Sequence, residues 1–210
     1  MKSVDLETIY AETPEDEIPW ISKEPPSQLV GLLDSSGVLP CKAVDLGCGT
    51  GNHALYLASR GFDVTGIELS ETAVRIAREK AKDRGLAVRF VSDDLRSSHA
   101  GFDAVFAFAF EWQVLHHILP EERPGYLANV AKMLAPGATY FALFFSDKDP
   151  SFGGSGKLRQ TSIGTVLYFS DETEIRELYR PHFSIRELSE VVIPGVRGEH
   201  VAWCALAHKD

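Results

Sequence analysis

The chain has 210 residues, a length that fits one domain or one domain with small additions. Its formal net charge is −9, and proteins that grip phosphate backbones usually present a basic face, so we expect no nucleic-acid partner. No stretch approaches the ~20 apolar residues of a membrane span, and the N-terminus lacks the apolar segment of a secretory signal. We therefore expect no membrane partner and a cytoplasmic location. Three cysteines without C-x-x-C spacing argue against a disulfide framework or a zinc site, and we expect no metal.

The first 27 residues differ in composition from the rest of the chain. They are acidic and contain four prolines, at positions 14, 19, 25 and 26. We interpret residues 1–27 as an arm or lid and residues 28–210 as the main domain. A short helix is predicted over residues 28–36.

Apolar runs typical of strands alternate with helical patterns from residue 43 onward. Such alternation predicts right-handed βαβ units and a parallel sheet. Ser70 can cap a long helix that ends near Gly85. The predicted strands cover residues 43–46, 63–68, 88–91, 102–110 and 139–145, and the helices cover residues 52–60, 70–84 and 121–134.

The C-terminal part changes character. A helix is predicted over residues 170–180 with Ser170 as its cap. Two strands follow, over residues 182–193 and 200–208, joined by a glycine-containing turn. This pattern predicts an antiparallel hairpin at the edge of the sheet.

The strongest functional signal is a glycine loop that follows the first strand and opens a helix. Its three glycines, Gly47, Gly49 and Gly51, let the backbone turn sharply and let a ligand approach without interference from a Cβ atom. The spacing is G-x-G-x-G rather than the G-x-G-x-x-G of dinucleotide folds. Asp45, just before the loop, would repel a pyrophosphate and attract a cofactor that carries an ammonium group.

Two further acidic sites follow neighbouring strands. Glu68 ends the second strand, where a carboxylate can accept both hydroxyls of a ribose. Asp93 and Asp94 end the third strand. All these carboxylates fall at carboxyl ends of strands, where open α/β sheets bind their ligands.

Together these motifs resemble the motif series of class I S-adenosylmethionine-dependent methyltransferases. The resemblance implies an α/β fold: a Rossmann-like, seven-stranded, mostly parallel sheet with an antiparallel C-terminal strand and helices on both faces. It also implies S-adenosylmethionine as the cofactor. Asp45 and the glycine loop would meet its methionine part, Glu68 its ribose, and Asp94 with Leu95 its adenine. The cofactor-binding residues so expected are Asp45, Gly47, Cys48, Gly49, Gly51, Asn52, Glu68, Leu69, Asp94, Leu95 and Phe108.

Candidates for the acceptor side follow the fourth strand, in a segment that the resemblance places beside the methyl group. Glu111, His116 and His117 could act as catalytic bases or orient the acceptor. Each of the two histidines could instead pack or cap a helix. Trp112 is a candidate wall of the acceptor site, although tryptophan in such a position more often packs in the core.

Two other segments could close the acceptor site. One is the arm, through Tyr10 and Trp20. The other is the loop of residues 146–161, which is long for a compact domain and carries Lys157 and Arg159 for an anionic acceptor. A flexible, solvated loop is the alternative interpretation of this segment.

The arm followed at once by the motif series is similar to the small-molecule subgroup that includes thiopurine and tellurite-resistance methyltransferases. This resemblance implies methyl transfer to a small molecule, with a thiol or another chalcogen compound favoured as acceptor. An RNA or protein methyltransferase and a non-catalytic S-adenosylmethionine-binding module are the alternatives. The oligomeric state is left open by the sequence.

Overall fold

The computed structural model describes residues 5–35, 37–97, 101–153, 156–195 and 198–210. None of the helices in these ranges is long and apolar enough to cross a membrane. The helices are α1 (Leu6–Glu12), α2 (Ser27–Asp34), α3 (Asn52–Ser59), α4 (Glu71–Asp83), α5 (Arg123–Met133) and α6 (Glu172–Tyr179). The strands are β1 (Lys42–Leu46), β2 (Asp63–Glu68), β3 (Val88–Ser92), β4 (Phe106–Trp112), β5 (Leu134–Phe145), β6 (Leu158–Gln160), β7 (Val166–Tyr168), β8 (Phe183–Gly195) and β9 (Gly198–Lys209).

Seven strands form one twisted sheet in the order β3-β2-β1-β4-β5-β9-β8. The first five pair in parallel, whereas β9 runs antiparallel to both β5 and β8. The predicted fold class, with its antiparallel C-terminal strand and its hairpin at the sheet edge, is therefore confirmed. The crossover from β3 back to β4 makes β1 and β4 neighbours, and their carboxyl ends flank the cleft where this topology binds ligands.

Helices cover both faces of the sheet, as predicted. Apolar residues of α2, α3 and α4 pack on one face, and those of α5 and α6 pack on the other. Both faces need this cover because the strands carry apolar side chains on both, as β5 shows. Its side chains alternate between the two cores. Tyr140, Ala142 and Phe144 join the α5–α6 side, whereas Phe141 and Leu143 join the α2–α4 side.

Local capping fixes where two of the helices begin. Ser70 accepts a hydrogen bond from the Ala73 N–H and starts α4, as predicted. Helix α6 is capped by Asp171 rather than by Ser170. Asp171 forms a reciprocal capping box with Glu174, and this box satisfies two backbone donors at once.

The region around β4 differs from the predicted strand over residues 102–110. Strand β4 begins at Phe106, because Ala104 adopts a left-handed φ of +53° that interrupts an extended backbone. Helix α5 covers a shorter range than the predicted residues 121–134, and β5 already begins at Leu134. Leu134 pairs with Phe106 ahead of an irregularity in the β4–β5 register.

The N-terminal arm packs on the domain. Ile9, Tyr10 and Ile18 are buried in a small cluster with Ala73 of α4. Residues 1–4 of the arm lie outside the described residues, and the division at residue 27 stays a prediction. The predicted loop of residues 146–161 includes β6, which pairs with β7 as a separate two-stranded ribbon. Residues 154 and 155 of that loop also lie outside the described part.

Candidate cofactor cleft and acceptor pocket

The glycine loop turns tightly between β1 and α3. Gly49 and Gly51 have φ values of +51° and +83°, in the left-handed region that glycine tolerates best. A Cβ atom on Gly51 would stand 2.8 Å from both the Cβ of Ala77 and the ring of Phe90. The loop thus follows the sheet and α4 more closely than a larger residue would permit.

Asp45 lies at the base of this loop and is almost completely buried. Among the described residues, its Oδ2 atom has no hydrogen-bond partner. Burial raises the pKa of this carboxyl to about 8, and the nearby charge of Glu68 adds to the effect, although a hydrogen bond from the Ala54 backbone opposes it. A cation placed at Oδ2 would relieve the cost of burial, so the site suits an ammonium group.

Glu68 connects the end of β2 to the glycine loop. Its carboxylate accepts hydrogen bonds from the Gly49 N–H and the Ser70 N–H, each at 3.0 Å. Burial raises the pKa of this carboxyl, and these backbone donors oppose the shift. A carboxylate has about four lone-pair positions, so Glu68 retains capacity for ribose hydroxyls.

The other expected cofactor residues are distributed unevenly. Leu69 follows β2 directly and is 47% exposed, and Asp94 forms an ion pair with Arg96 at 2.7 Å. Leu95 is buried in the α5–α6 core. Asn52 donates to the carbonyl of Ser22 in the arm.

Two expected cofactor residues have side chains in the core. The Cys48 sulfur would stand 2.7 Å from a Cβ atom on Gly66, and Cys48 belongs to the α2–α4 core while also bordering the cleft. Phe108 is fully buried in the middle of β4 and packs on Phe62. This corrects the expectation that Phe108 contacts the cofactor, because its side chain belongs to the α2–α4 core.

The arm covers the cleft above the glycine loop. Tyr10 is buried there and accepts a hydrogen bond at 2.9 Å from the indole N–H of Trp20. The space left between these rings, the loop and Trp112 is about 40 Å³. Tyr10, Trp20 and Trp112, all predicted to contact the acceptor, therefore border the cofactor cleft.

A much larger cavity, of about 720 Å³, adjoins this cleft and shares Trp20 with it as a wall. We call it the acceptor pocket. It lies beyond the carboxyl ends of β4 and β5, between the β6–β7 ribbon and the tip of the β8–β9 hairpin. Its walls include Trp20, Gln113, Phe145, Phe152 and three histidines.

His116 and His117 both border the acceptor pocket, where the sequence placed them. The Nδ1 atom of His116 accepts a hydrogen bond from the Phe145 N–H at 3.3 Å, so the neutral ring carries its proton on Nε2. Burial lowers the pKa of His116 well below its usual value and that of His117 to about 4. Both rings are therefore neutral at physiological pH.

Glu111 is not available to the acceptor. Its carboxylate is completely buried and accepts hydrogen bonds from the Leu115 N–H and from the hydroxyls of Tyr126 and Tyr140. Burial raises its pKa. These contacts correct the expectation of a catalytic Glu111, because the side chain fixes the turn after β4 from the α5 side of the sheet.

Arg159 is likewise committed to structure. Its guanidinium donates to the backbone carbonyls of Asp147, Asp149, Ser151 and Gly156. The same group lies 4.0 Å above the ring of Phe169. This corrects the expectation that Arg159 contacts an acceptor.

Lys157 is also engaged away from the pocket. It pairs with Asp171 and Glu174 at the start of α6. The long loop therefore contributes neither of its predicted cations to the acceptor pocket.

Several residues of the site escaped the sequence analysis. His53, in the first turn of α3, borders the cofactor cleft, and burial lowers its pKa to about 4. The position of His53 directly after the glycine loop is the sequence feature that indicates a place in the cofactor cleft. Asp149 and His200 form a pair at the acceptor pocket, with Nδ1 of the histidine 3.2 Å from Oδ2 of the carboxylate. No local pattern marks this pair, because 51 positions separate the two residues.

Within the described part of the chain, no group of three or more histidine, cysteine or carboxylate side chains could hold a metal ion. The expectation that no metal is required stays a prediction.

Residues 43–137 match a family model described as a methyltransferase domain. This central part of the chain is therefore similar to a methyltransferase domain. The 2-heptyl-1-hydroxyquinolin-4(1H)-one methyltransferase of Mycobacteroides abscessus is 29% identical over 174 residues, which are 81% of this chain and 70% of that protein. Thiocyanate methyltransferase 1 of Brassica oleracea is 28% identical over 71% of this chain and 66% of its own length. The chain thus spans about two thirds of the length of these two relatives.

The fold of this chain also has a near match among solved structures. One, from work on the conversion of a disulfide bond into a thioacetal group during echinomycin biosynthesis, superposes with a TM-score of 0.82. It is 23% identical and covers 98% of this chain and 92% of that one. Solved methyltransferases of this fold hold S-adenosylmethionine or S-adenosylhomocysteine, in agreement with the expected cofactor. The roles of the remaining site residues stay predictions.

Proposed function

We propose that this methyltransferase transfers the methyl group of S-adenosylmethionine to a planar aromatic or heteroaromatic small molecule seated in the acceptor pocket. The observation that carries the proposal is the pocket itself. Its volume of about 720 Å³ falls in the ~300–1,000 Å³ range of small-molecule sites. The rings of Trp20, Phe145 and Phe152 provide flat apolar walls.

The residues around the glycine loop fit the cofactor. Asp45, with its buried and unpartnered oxygen, would hold the ammonium group. Glu68 would accept the ribose hydroxyls, and the glycines leave the backbone open to close approach. When bound, S-adenosylmethionine supplies an electrophilic methyl group on a sulfonium.

The chain's own contribution to the reaction is to position the acceptor and exclude water. Holding two reactants in line supplies a large part of the acceleration in reactions of this kind. Trp20 borders both the cleft and the pocket, so it lies where the two ligands would meet. His116, with its proton on Nε2, can donate a hydrogen bond to an acceptor oxygen or nitrogen.

Two similarities support different acceptor atoms. The M. abscessus relative is named for a hydroxyquinolone, which is a flat ring system that carries a hydroxyl. A ring system of this kind suits the volume and the aromatic walls of the pocket. The B. oleracea relative is named for thiocyanate, which supports the chalcogen acceptor expected from the sequence. Thiocyanate is far smaller than the pocket, so among sulfur acceptors we favour an aromatic thiol.

A transfer screen tests the proposal, with release of S-adenosylhomocysteine as the readout. The panel contains 2-heptyl-1-hydroxyquinolin-4(1H)-one, 2-naphthol, 2-naphthalenethiol, thiocyanate, tellurite and transfer RNA. We expect turnover of ring acceptors. Turnover of thiocyanate and tellurite alone would contradict the acceptor class, and turnover of RNA alone would support a macromolecular substrate. Cofactor binding without any turnover would indicate a binding module.

A substitution in the pocket, compared with a matched control outside it, tests where the acceptor binds. Ser162 borders the acceptor pocket and is exposed, so Ser162→Trp should narrow the pocket without disturbing the core. We expect a raised KM for ring acceptors and unchanged cofactor affinity. Thr173→Trp, at an exposed position on α6, should change neither quantity.

A further inference from the structure

A carboxylate and a histidine face each other at a wall of the acceptor pocket. The Asp149 side chain is completely buried and His200 is 15% exposed. Oδ2 of Asp149 lies 3.2 Å from Nδ1 of His200 and accepts the Val201 N–H at 2.6 Å. Its Oδ1 accepts the Ser151 N–H at 2.7 Å. The carboxylate is thus fixed in place by two backbone donors.

This arrangement sets which nitrogen of His200 carries the proton. Nδ1 also lies 3.2 Å from the Ser151 hydroxyl, whose oxygen can accept as well as donate. The Asp149 carboxylate can only accept, so the pair favours the tautomer with hydrogen on Nδ1, which leaves the lone pair on Nε2. Among the described residues, none forms a hydrogen bond to Nε2. The atom lies beside Gly195, where a Cβ atom would stand 2.6 Å away, so the glycine leaves room for it.

Aromatic rings hold the imidazole in position. The ring of Phe145 lies 4.8 Å from that of His200, and the ring of Phe152 lies 5.5 Å away and nearly parallel. Both phenylalanines also form walls of the acceptor pocket. A flat acceptor seated against them would therefore lie next to Nε2 of His200.

His116, the base candidate expected from the sequence, has the opposite arrangement. Its Nδ1 lone pair is occupied by the Phe145 N–H, so its Nε2 atom carries hydrogen and donates. The pocket thus places a donor on one histidine and a free lone pair on another. That division matches what an acidic hydroxyl needs, because its oxygen must be held while its proton is removed.

We propose that His200 is the general base of this enzyme and that Asp149 is its positioning residue. The proposal rests on the proposed function, a hydroxyl-bearing ring in the acceptor pocket. The O–H bond of the acceptor breaks, and its proton forms a new N–H bond at Nε2. The bonding electron pair stays on the acceptor oxygen, and the imidazole becomes an imidazolium stabilised by the Asp149 carboxylate. The oxygen so charged is the nucleophile.

A matched pair of acceptors separates this role from a structural one. 2-Naphthol and 2-naphthalenethiol have the same ring system, but the thiol is a much stronger acid and needs little help to ionise. In His200→Gln, kcat for 2-naphthol at pH 7 should fall by about 10²–10⁴-fold, the usual contribution of a general base. Transfer to 2-naphthalenethiol should stay within about threefold of wild type.

The pH profile gives a second readout. As the pH rises, naphthol ionises by itself, so the deficit of His200→Gln should shrink. Asp149, His116 and Glu199 are the titratable groups around His200, so the profile is also measured in Asp149→Asn. In Asp149→Asn we expect kcat for 2-naphthol to lie between those of the wild type and His200→Gln. Its deficit should also shrink as the pH rises. A damaged pocket would lower both acceptors at every pH.

A binding measurement avoids turnover altogether. With S-adenosylhomocysteine present, ultraviolet absorbance distinguishes bound naphthol from naphtholate. The wild type should hold naphtholate at a lower pH than His200→Gln does. His208→Gln changes a histidine on the same strand away from the pocket and should behave as the wild type.

The outcomes are distinct. Equal loss with both acceptors, or no loss with 2-naphthol, would overturn the role of His200 while leaving the proposed function intact. Failure of the wild type with every ring acceptor would overturn the proposed function and the role of His200 with it. If His200→Gln fails to fold, Asp149→Asn and the wild-type absorbance measurement still decide the question.

Discussion

The hydroxyl oxygen of Tyr10 lies 2.9 Å from the position that a Cβ atom on Gly49 would occupy. The arm is therefore seated directly on the glycine loop, and Trp20 is tied to Tyr10 beside it. The remaining cleft of about 40 Å³ is far smaller than the ~300 Å³ at the lower end of ligand sites. We therefore expect this arm to move when the cofactor enters.

Glu15 holds the arm in place, and we expect its charge to slow cofactor entry. Its carboxylate accepts the Thr50 hydroxyl at 2.7 Å and pairs with Lys80 of α4. Partly exposed ion pairs contribute roughly 0.2–1 kcal/mol, so Glu15→Gln should speed S-adenosylhomocysteine association by up to about fivefold. Stopped-flow fluorescence of the tryptophans measures this rate.

The control for the arm is Glu12→Gln, a change at an exposed position at the end of α1. Its rate of S-adenosylhomocysteine association should equal that of the wild type. Its rate of proteolytic cleavage within the arm should also equal that of the wild type, whereas Glu15→Gln should be cleaved faster there. Equal rates and equal proteolysis in Glu15→Gln as well would show that the arm does not limit entry.

Glu68 should contribute strongly to cofactor affinity. It organises the glycine loop through the Gly49 N–H and retains lone pairs for the ribose. Hydrogen bonds to a charged group contribute about 1.5–3 kcal/mol each, so Glu68→Ala should weaken S-adenosylhomocysteine binding by at least about tenfold. Calorimetry measures this affinity, and the control variant Glu71→Ala, at an exposed position, should bind as the wild type does. Wild-type affinity in a folded Glu68→Ala protein would contradict the assignment.

The cofactor cleft could be located from the sequence because its residues are local to strand ends. Asp45 and Glu68 lie at the carboxyl ends of recognisable strands and Gly49 follows one, and the topology of a parallel sheet brings such ends together. The strands themselves were visible as apolar runs. The β4 boundary was missed because Phe102 is apolar and buried without being extended.

The acceptor side could not be located in the same way. Asp149 and His200 meet only because the loop after β5 folds back onto the β8–β9 hairpin. Glu111 and Arg159 have the chemistry of site residues. Tertiary contacts exclude both side chains from the acceptor site. Glu111 accepts hydrogen bonds from buried tyrosine hydroxyls, and Arg159 donates to loop carbonyls.

Arg159 should matter for stability rather than for recognition of an anionic acceptor. Its removal leaves several loop carbonyls without their donor and exposes the face of Phe169. From typical charged hydrogen bonds, Arg159→Met should lower the free energy of unfolding by about 3 kcal/mol. Urea denaturation measures the loss, and the exposed Arg186→Met should leave stability unchanged. Wild-type stability combined with a raised KM would return Arg159 to the acceptor site.

Asp45 links cofactor binding to pH. Below about pH 8 its buried carboxyl holds a proton in the folded protein, whereas the ordinary value in an unfolded chain is 3.8. The folded state therefore binds the additional proton between these values, and the free energy of unfolding should fall as the pH rises from about 4 to about 8. An ammonium at Oδ2 favours the ionised form, so binding should release this proton.

We therefore expect S-adenosylhomocysteine affinity to rise with pH up to about 8 and then level off, because below that value part of the binding free energy is spent on deprotonating Asp45. Calorimetry at pH 7 in buffers of different ionisation enthalpy counts the released protons. The wild type should release close to one, and Asp45→Asn, which also binds more weakly, should release none. Asp63→Asn, at the exposed start of β2, should match the wild type. Equal proton release in Asp45→Asn and the wild type would mean that Asp45 is already ionised in the free protein, or that the ammonium group binds elsewhere.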